Sequence, residues 1–367
     1  MAFTAKDVQA LREKTGVGMM DCKKALVETD GDIDKAIDIL REKGLASAAK
    51  KASHVAAEGI VATCSDDKAG VLVELNCETD FVAKGAPFVE LSNKVAKTVL
   101  AAKPADLETL LATKAVDSDM TVEQEVQEVF LALRENLKVR RFAVVEGHTA
   151  TYIHGGGSVG VIVAFDTDDA TAAKAEVAEM GKNIAMQVAA MSPEFLSKND
   201  LSAEELAKME NITVESALNK PDSLPVPILN SLIAEVIDTK KWNEEDIAIY
   251  QGLDQQQRKN FFNFISKEAY AELAALAVSK KAEIVENKIF NGLVQGRLSK
   301  QLKEVCLLEQ AFVRSDLFDG DVKGYVASVA KSLGAEISVK SFTRFAKGEG
   351  IEKKADDFAA EIASMVK

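Results

Sequence analysis

One pattern in this chain is written twice. Glu58-Gly59 followed by Ala62-Thr63 returns as Glu146-Gly147 followed by Ala150-Thr151. Gly70-Val71 returns as Gly160-Val161, and Val95, Ala96, Val99 and Pro104 return as Ile184, Ala185, Val188 and Pro193. The correspondences keep their order and are displaced by about 90 residues, as expected of a duplicated supersecondary unit with small loop changes. In the first copy, Gly59–Thr63 and Val71–Leu75 read as strands joined by the polar turn Ser65–Gly70. Helical pattern runs from Thr79 to Ala102 with interruptions near Gly85 and Pro87, a helix follows from Val122 to Glu135, and a strand lies around Val139–Val145. The chain is therefore expected to be α+β, with two related halves, each a small antiparallel sheet covered by helices.

Flanking pieces fall outside the repeat. The first 54 residues read as a three-helix bundle. Thr4 and Asp7 form a capping box with Phe3 stapled onto Val8, Gly16 and Gly18 break the first helix, and a second runs from about Met19 to Thr29. Asp32 caps a third helix whose Ile33, Ala36, Ile37 and Leu40 form one stripe, with Gly44 as its stop. Lys50–Ala57 reads as a linker or short helix. Residues 196–300 are mostly helical, but Pro221, Pro225 and Pro227 forbid one continuous helix. Phe261, Phe262 and Phe264, with Trp242 and Tyr250, suggest a subdomain core there. Then come a strand at Val305–Val313, a helix at Val322–Leu333, a strand at Ala335–Phe345, a break at Gly348–Gly350, and an amphipathic helix at Ala355–Val366. The expected domains are 1–54 (bundle), 55–141 (first core half), 142–210 and 291–347 (second core half), 211–290 (helical insertion) and 348–367 (C-terminal helical module).

Composition narrows the function. Lys plus Arg number 45 against 58 Asp plus Glu, a formal net charge of −13. That balance argues against a broad basic face for nucleic acid or anionic membrane. The three His and four Cys show no zinc or disulfide spacing, so no metal site is expected and a reducing compartment fits. No apolar run approaches the ~18 residues of a membrane span, and the N-terminus lacks a targeting pattern. A cytoplasmic protein is expected, either a metal-free enzyme or a protein-binding factor.

The glycines of His154-Gly155-Gly156-Gly157-Ser158-Val159-Gly160 lie between two strands and lack the Lys and Ser/Thr of a phosphate loop, so a hairpin turn is the reading. An α+β enzyme holding a phosphorylated ligand on this turn is the rival. No catalytic motif stands out, and a surface position is the default for the carboxylates. The first 54 residues hold ten Lys plus Arg against nine Asp plus Glu. Lys23-Lys24 and Lys50-Lys51 are therefore either solvated faces or a docking surface for an acidic partner. Met19 and Met20 cannot both easily point into so small a bundle, and Met is favoured at binding surfaces. Thr79 or Asp80 can cap a short helix that holds Phe81 at the sheet edge. By position alone Phe81 reads as core; the alternative is an anchor for a partner's pocket.

Four runs carry a family resemblance. Leu11–Leu26 (LREKTGVGMMDCKKAL) closely resembles the opening of the elongation factor Ts family, and Asn76–Ala83 (NCETDFVA) resembles its second signature. Tyr152–Gly155, leading into Gly160-Val161, and Phe345–Lys353 match more weakly. The resemblance covers residues 1 to about 210 and about 290 to 367. It implies a guanine-nucleotide exchange factor that binds GDP-bound and nucleotide-free elongation factor Tu and disturbs its magnesium/phosphate site. No catalytic residue, cofactor, metal or nucleic-acid contact is implied. It also implies a ubiquitin-associated-like bundle, a two-half core, a helical hairpin in the second half and a C-terminal module. Partner contacts are implied at Arg12, Met19, Met20, Lys23 and Lys51, at Thr79, Asp80, Phe81 and Val82, and at His154 and Val313. Dimerisation through the second core half is a further family trait. The insertion looks longer than the usual hairpin, and the prolines leave open whether it is a coiled coil.

Overall fold

A computed structural model describes residues 3–352. It divides into two units, one of residues 3–192 with 312–352 and the other Pro193–Ala311. The first unit opens with α1 (Ala5–Thr15), α2 (Met19–Glu28) and α3 (Ile33–Lys51). The Asp7 carboxylate accepts from both the backbone and the hydroxyl of Thr4, and Asp32 accepts from Lys35 N. The expected stop at Gly44 does not occur, because α3 continues to Lys51. Gly44 serves packing instead: a Cβ there would sit 1.9 Å from Leu131 Cδ2.

The first core half is β1 (Glu58–Ser65), β2 (Ala69–Cys77), α4 (Asp80–Lys84), α5 (Ala86–Ala102), α6 (Leu107–Ala112), α7 (Val122–Leu133) and β3 (Lys138–Glu146). The second half begins with β4 (His148–His154), β5 (Val159–Asp166), α8 (Asp169–Ala172) and α9 (Ala175–Met191). The helical unit then intervenes with α10 (Ala203–Leu218), α11 (Val226–Asp238), α12 (Glu244–Gly252), α13 (Lys267–Ser279), α14 (Lys281–Ile284) and α15 (Lys288–Val305). After it, α16 (Val322–Leu333) and β6 (Ser338–Ala346) complete the second half.

The duplication is plain in three dimensions. Each half is a three-stranded antiparallel sheet, ordered β1-β2-β3 or β4-β5-β6. Register slips at Glu74/Leu75 in one and at Ala164/Phe165 in the other. Matching helix ends carry matching backbone: Lys103 after α5 and Ser192 after α9 are both left-handed, as are Arg134 after α7 and Gly334 after α16.

Pro193–Ala311 is wider than the expected 211–290 insertion, because α10 and α15 supply part of its core. Val214, Ala217 and Leu218 pack in one cluster with Phe290, Val294, Trp242 and Phe261. The unit is thus a six-helix body with an aromatic core rather than a two-helix hairpin. The expected strand at Val305–Val313 is a correction. Cys306 makes only a single bridge with Phe195, and a short turn of 3-10 helix follows at Leu307–Glu309. The expected helix at Ala355–Val366 lies outside the described residues. Among those residues no helix is long and apolar enough to cross a membrane.

Strand geometry sends alternate side chains to opposite faces. On β2, Val71, Val73 and Leu75 meet Phe88, Leu91, Val95 and Val99 of α5. Leu72, on the other face, meets Ile162 and Phe345 of the second sheet. Glu74 shares that inner face and is fully buried at 0% exposure, against the surface default for carboxylates. Its oxygens accept from Arg140 Nη1 (2.9 Å), Arg141 Nε (2.6 Å) and Gly348 N (2.7 Å). Arg141 lies over the Phe345 ring and also binds the Ala346 carbonyl and Glu349. Gly348 has φ +67, and a Cβ there would meet the Ala57 carbonyl at 2.3 Å. The fourth signature run is therefore the piece that locks the end of β6 onto the first half.

Burial alone would raise the Glu74 pKa, but the Gly348 N–H and the two guanidinium groups outweigh it and hold the carboxyl below its ordinary value. A depressed carboxylate pKa stabilises the fold above the unfolded value near 4.5, and that stability is lost as pH falls through the folded value. Glu74→Ala, which strands two arginines, should cost about 3–5 kcal/mol by urea unfolding at pH 7. The difference between Glu74→Ala and wild type should shrink below pH 4.5. A pH-independent difference contradicts the assignment.

Candidate functional site

The N-terminal bundle is fastened to α7. Leu131 lies within the bundle's own core, beside Val8, Leu11, Leu26 and Leu40. Gly16, in the left-handed region, lets the bundle approach Ala132, where a Cβ would come within 2.9 Å. Arg41 pairs with Glu128. With its inner surface so used, the bundle has no room for both methionines, and Met19 and Met20 are 49% and 65% exposed. With Phe3, Val8 and Lys23 they line a shallow apolar depression. Arg12 and Lys23 face solvent on α1 and α2.

Phe81 is 86% exposed, so the core reading of this residue is corrected. The reason is the length of α4. Its five residues bury only Ala83, which leaves the first turn pointing outward. Thr79 is the cap, accepting from Val82 N, while Asp80 pairs with Lys84 at 2.7 Å. Lys84 holds the Asp80 carboxyl below its usual range, and Lys347 adds a smaller effect.

Beneath the tip lies a set of polar contacts that spacing gave no sign of. The Glu135 carboxylate accepts from Glu78 N (3.1 Å), Thr79 N (3.0 Å) and Thr79 Oγ1 (2.6 Å). Glu78 accepts from Asn136 N (2.6 Å) and contacts His54 Nδ1 at 3.0 Å. Burial pushes the Glu78 carboxyl up, but Asn136, His54 and Lys51 together bring it below its ordinary value. Lys51 is half-buried; its ammonium donates to the Arg134 carbonyl (2.6 Å) and lies 3.5 Å from Glu78. Arg134 reaches Asp21 of α2 at 3.3 Å.

The glycine turn is a hairpin tip, as the sequence suggested. Gly155, Gly156 and Gly157 all have positive φ, and the Gly157 carbonyl accepts from Val61 N. A Cβ on Gly157 would lie 2.7 Å from Ile60. That carbonyl and that close approach are given to the neighbouring sheet, which leaves the phosphate-binding reading without support from the turn's geometry. His154 is exposed beside the Tyr152 hydroxyl (3.1 Å). Lys347 N binds the Ser158 carbonyl while its ammonium pairs with Glu58, which places this hairpin on the β1 edge that also feels Asp80. Val313 is 44% exposed in the second half, its N–H bound by Gln187 of α9.

A duplicated α+β core that carries a helical bundle and displays an exposed aromatic on a braced tip defines a class of protein that presents projections rather than a deep cleft. The Elongation factor TS family model matches residues 78–349. An elongation factor Ts of Syntrophotalea carbinolica is 40% identical over 370 residues, covering all of both chains. One from Clostridium perfringens is 40% identical with 99% of each chain covered, and one from Clostridioides difficile is 39% identical over 369 residues. This chain belongs to the elongation factor Ts family. The family-model match spans Pro193–Ala311 as well.

Since Phe81 contacts so little, Phe81→Ala should leave thermal stability unchanged, within about 0.5 kcal/mol. Thr79→Ala removes a cap and should cost about 1 kcal/mol, with amide exchange quickened locally at Val82 and Ala83. A large loss of stability in Phe81→Ala would mean that the ring is packed.

Proposed function

We propose that this chain is the guanine-nucleotide exchange factor of elongation factor Tu in translation elongation. In this reading the bundle docks through Met19 and Met20, with Arg12 and Lys23 at its rim. Phe81, with Thr79, Asp80 and Val82, is pushed toward the magnesium and phosphate side of the partner's nucleotide. His154 and Val313 touch the partner from the second half. One observation carries the reading: a phenylalanine almost wholly in water on a capped helix that is clamped from below. An aromatic held out on a rigid support suits a partner's pocket, where burying it contributes roughly 1.5–3 kcal/mol.

The mechanism is linkage. A factor that binds nucleotide-free partner more tightly than GDP-bound partner must weaken GDP binding by the same ratio. GTPases hold nucleotide through backbone amides and Mg²⁺ bridging the phosphates. Shifting such groups by about an ångström costs on the order of a few kcal/mol, by analogy with misplaced catalytic groups. The factor therefore performs no covalent chemistry and works where its partner works, in the cytoplasm.

The wild-type chain should accelerate release of labelled GDP from purified elongation factor Tu, and Phe81→Ala should lose most of that acceleration. A release rate unchanged by wild type refutes the function; full activity in Phe81→Ala refutes only the wedge. Lys23→Ala should slow association several-fold at low salt and much less at high salt, as for a rim charge that steers encounter. Salt-independent association would remove Lys23 from the docking face.

A further inference from the structure

We propose that the turn Arg134–Asn136 is a positioning strut, with Glu135 as its working residue, that fixes the Phe81 tip in register with the Met19/Met20 bundle. The inference rests on the exchange reading and adds a residue to it.

Three successive residues of this turn reach three separate parts of the unit. Arg134 binds Asp21, next in sequence to Met20, and its carbonyl takes the Lys51 ammonium at the end of α3. Glu135 takes both backbone N–H groups at the start of the tip and the Thr79 hydroxyl. Asn136 binds the Glu78 carboxylate through its N–H and the His54 carbonyl through its side chain (2.8 Å). The turn itself is held in an uncommon shape. Arg134 is a non-glycine residue at φ 60, its N–H bound to the Phe130 carbonyl at the end of α7.

The hydroxyl of Thr79 shows what Glu135 does. A hydroxyl has one proton to give. Here it goes to Glu135 Oε1 at 2.6 Å, which leaves the oxygen's lone pairs for Val82 N. Glu135 thus decides which way the cap points, and the cap holds the first turn of α4, which carries Phe81. Without the carboxylate, the hydroxyl is free to rotate and two N–H groups turn to water. The ring then samples many positions relative to the bundle. Glu135 acts on Phe81 through Thr79.

A strut of this kind separates docking from exchange. The bundle still binds, while the ring no longer arrives in the right place. Glu135→Ala should lower the maximal GDP release rate at saturating factor about tenfold, a smaller loss than the roughly hundredfold that a 1 Å misplacement of a reacting group can cost. The factor concentration giving half that rate should move less than threefold, and the melting temperature should fall only by the few degrees expected of a lost cap, as in Thr79→Ala. Glu135→Gln keeps the length and one acceptor oxygen and should fall between. In the free chain, amide exchange at Phe81, Val82 and Ala83 should quicken in Glu135→Ala while α2 and β2 stay protected. If wild type accelerates release and Glu135→Ala matches it, the strut is refuted and the exchange reading stands. The same holds if the loss lies wholly in the half-saturating concentration, or if the tip amides are unchanged. If wild type itself does not accelerate release, the exchange reading falls and the strut with it.

Discussion

Glu74 carries a negative charge into the space between two apolar sheets, and the cost of that burial governs much of what surrounds it. An isolated carboxylate there is untenable unless hydrogen-bonded and paired. Arg140 and Arg141 of β3 and the backbone N–H of Gly348 meet the need. The consequences run outward. Arg141 stacks on Phe345, the chain beyond β6 is drawn across the first half, and Lys347 reaches Glu58 on β1. Two halves that resemble one another through duplication are thereby joined asymmetrically, by one charge that only the first copy carries.

That rigid frame gives meaning to what it leaves outside. Phe81 and the two methionines are exposed because the surfaces beneath them are already committed: α7 fills the inner side of the bundle, and Ala83 is the one buried residue of α4. On the reading proposed here, the polar turn at the end of α7 sets the spacing between these projections. Pre-set spacing reduces the ordering cost of association and leaves more binding energy for displacing nucleotide.

Repeat and resemblance make most of the architecture legible in the sequence. The duplicated hairpins, the break at Gly85, the cap at Asp32 and the separate aromatic core around Trp242 all follow from period, turn chemistry and order. What stayed hidden has physical reasons. Gly44 reads as a helix stop because sequence cannot show that Leu131, far along the chain, fills the space its side chain would occupy. Val305–Val313 has strand composition but receives only one bridge partner. Glu74 looks like any carboxylate in an alternating strand, since its burial depends on a second sheet encoded about 90 residues away. Position alone leaves Phe81 as core with an anchor as the alternative, and family resemblance favours the anchor. Glu135 was not readable at all, because its role depends on a turn that folds back to Thr79.

On the proposed reading, Phe81 meets the nucleotide-binding part of elongation factor Tu. Phe81 replaced by p-benzoylphenylalanine, mixed with GDP-bound elongation factor Tu and irradiated, tests it directly. A covalent adduct is expected that maps by mass spectrometry to the partner's nucleotide-binding domain. An adduct mapping elsewhere, or none in a preparation that forms the complex, would contradict it.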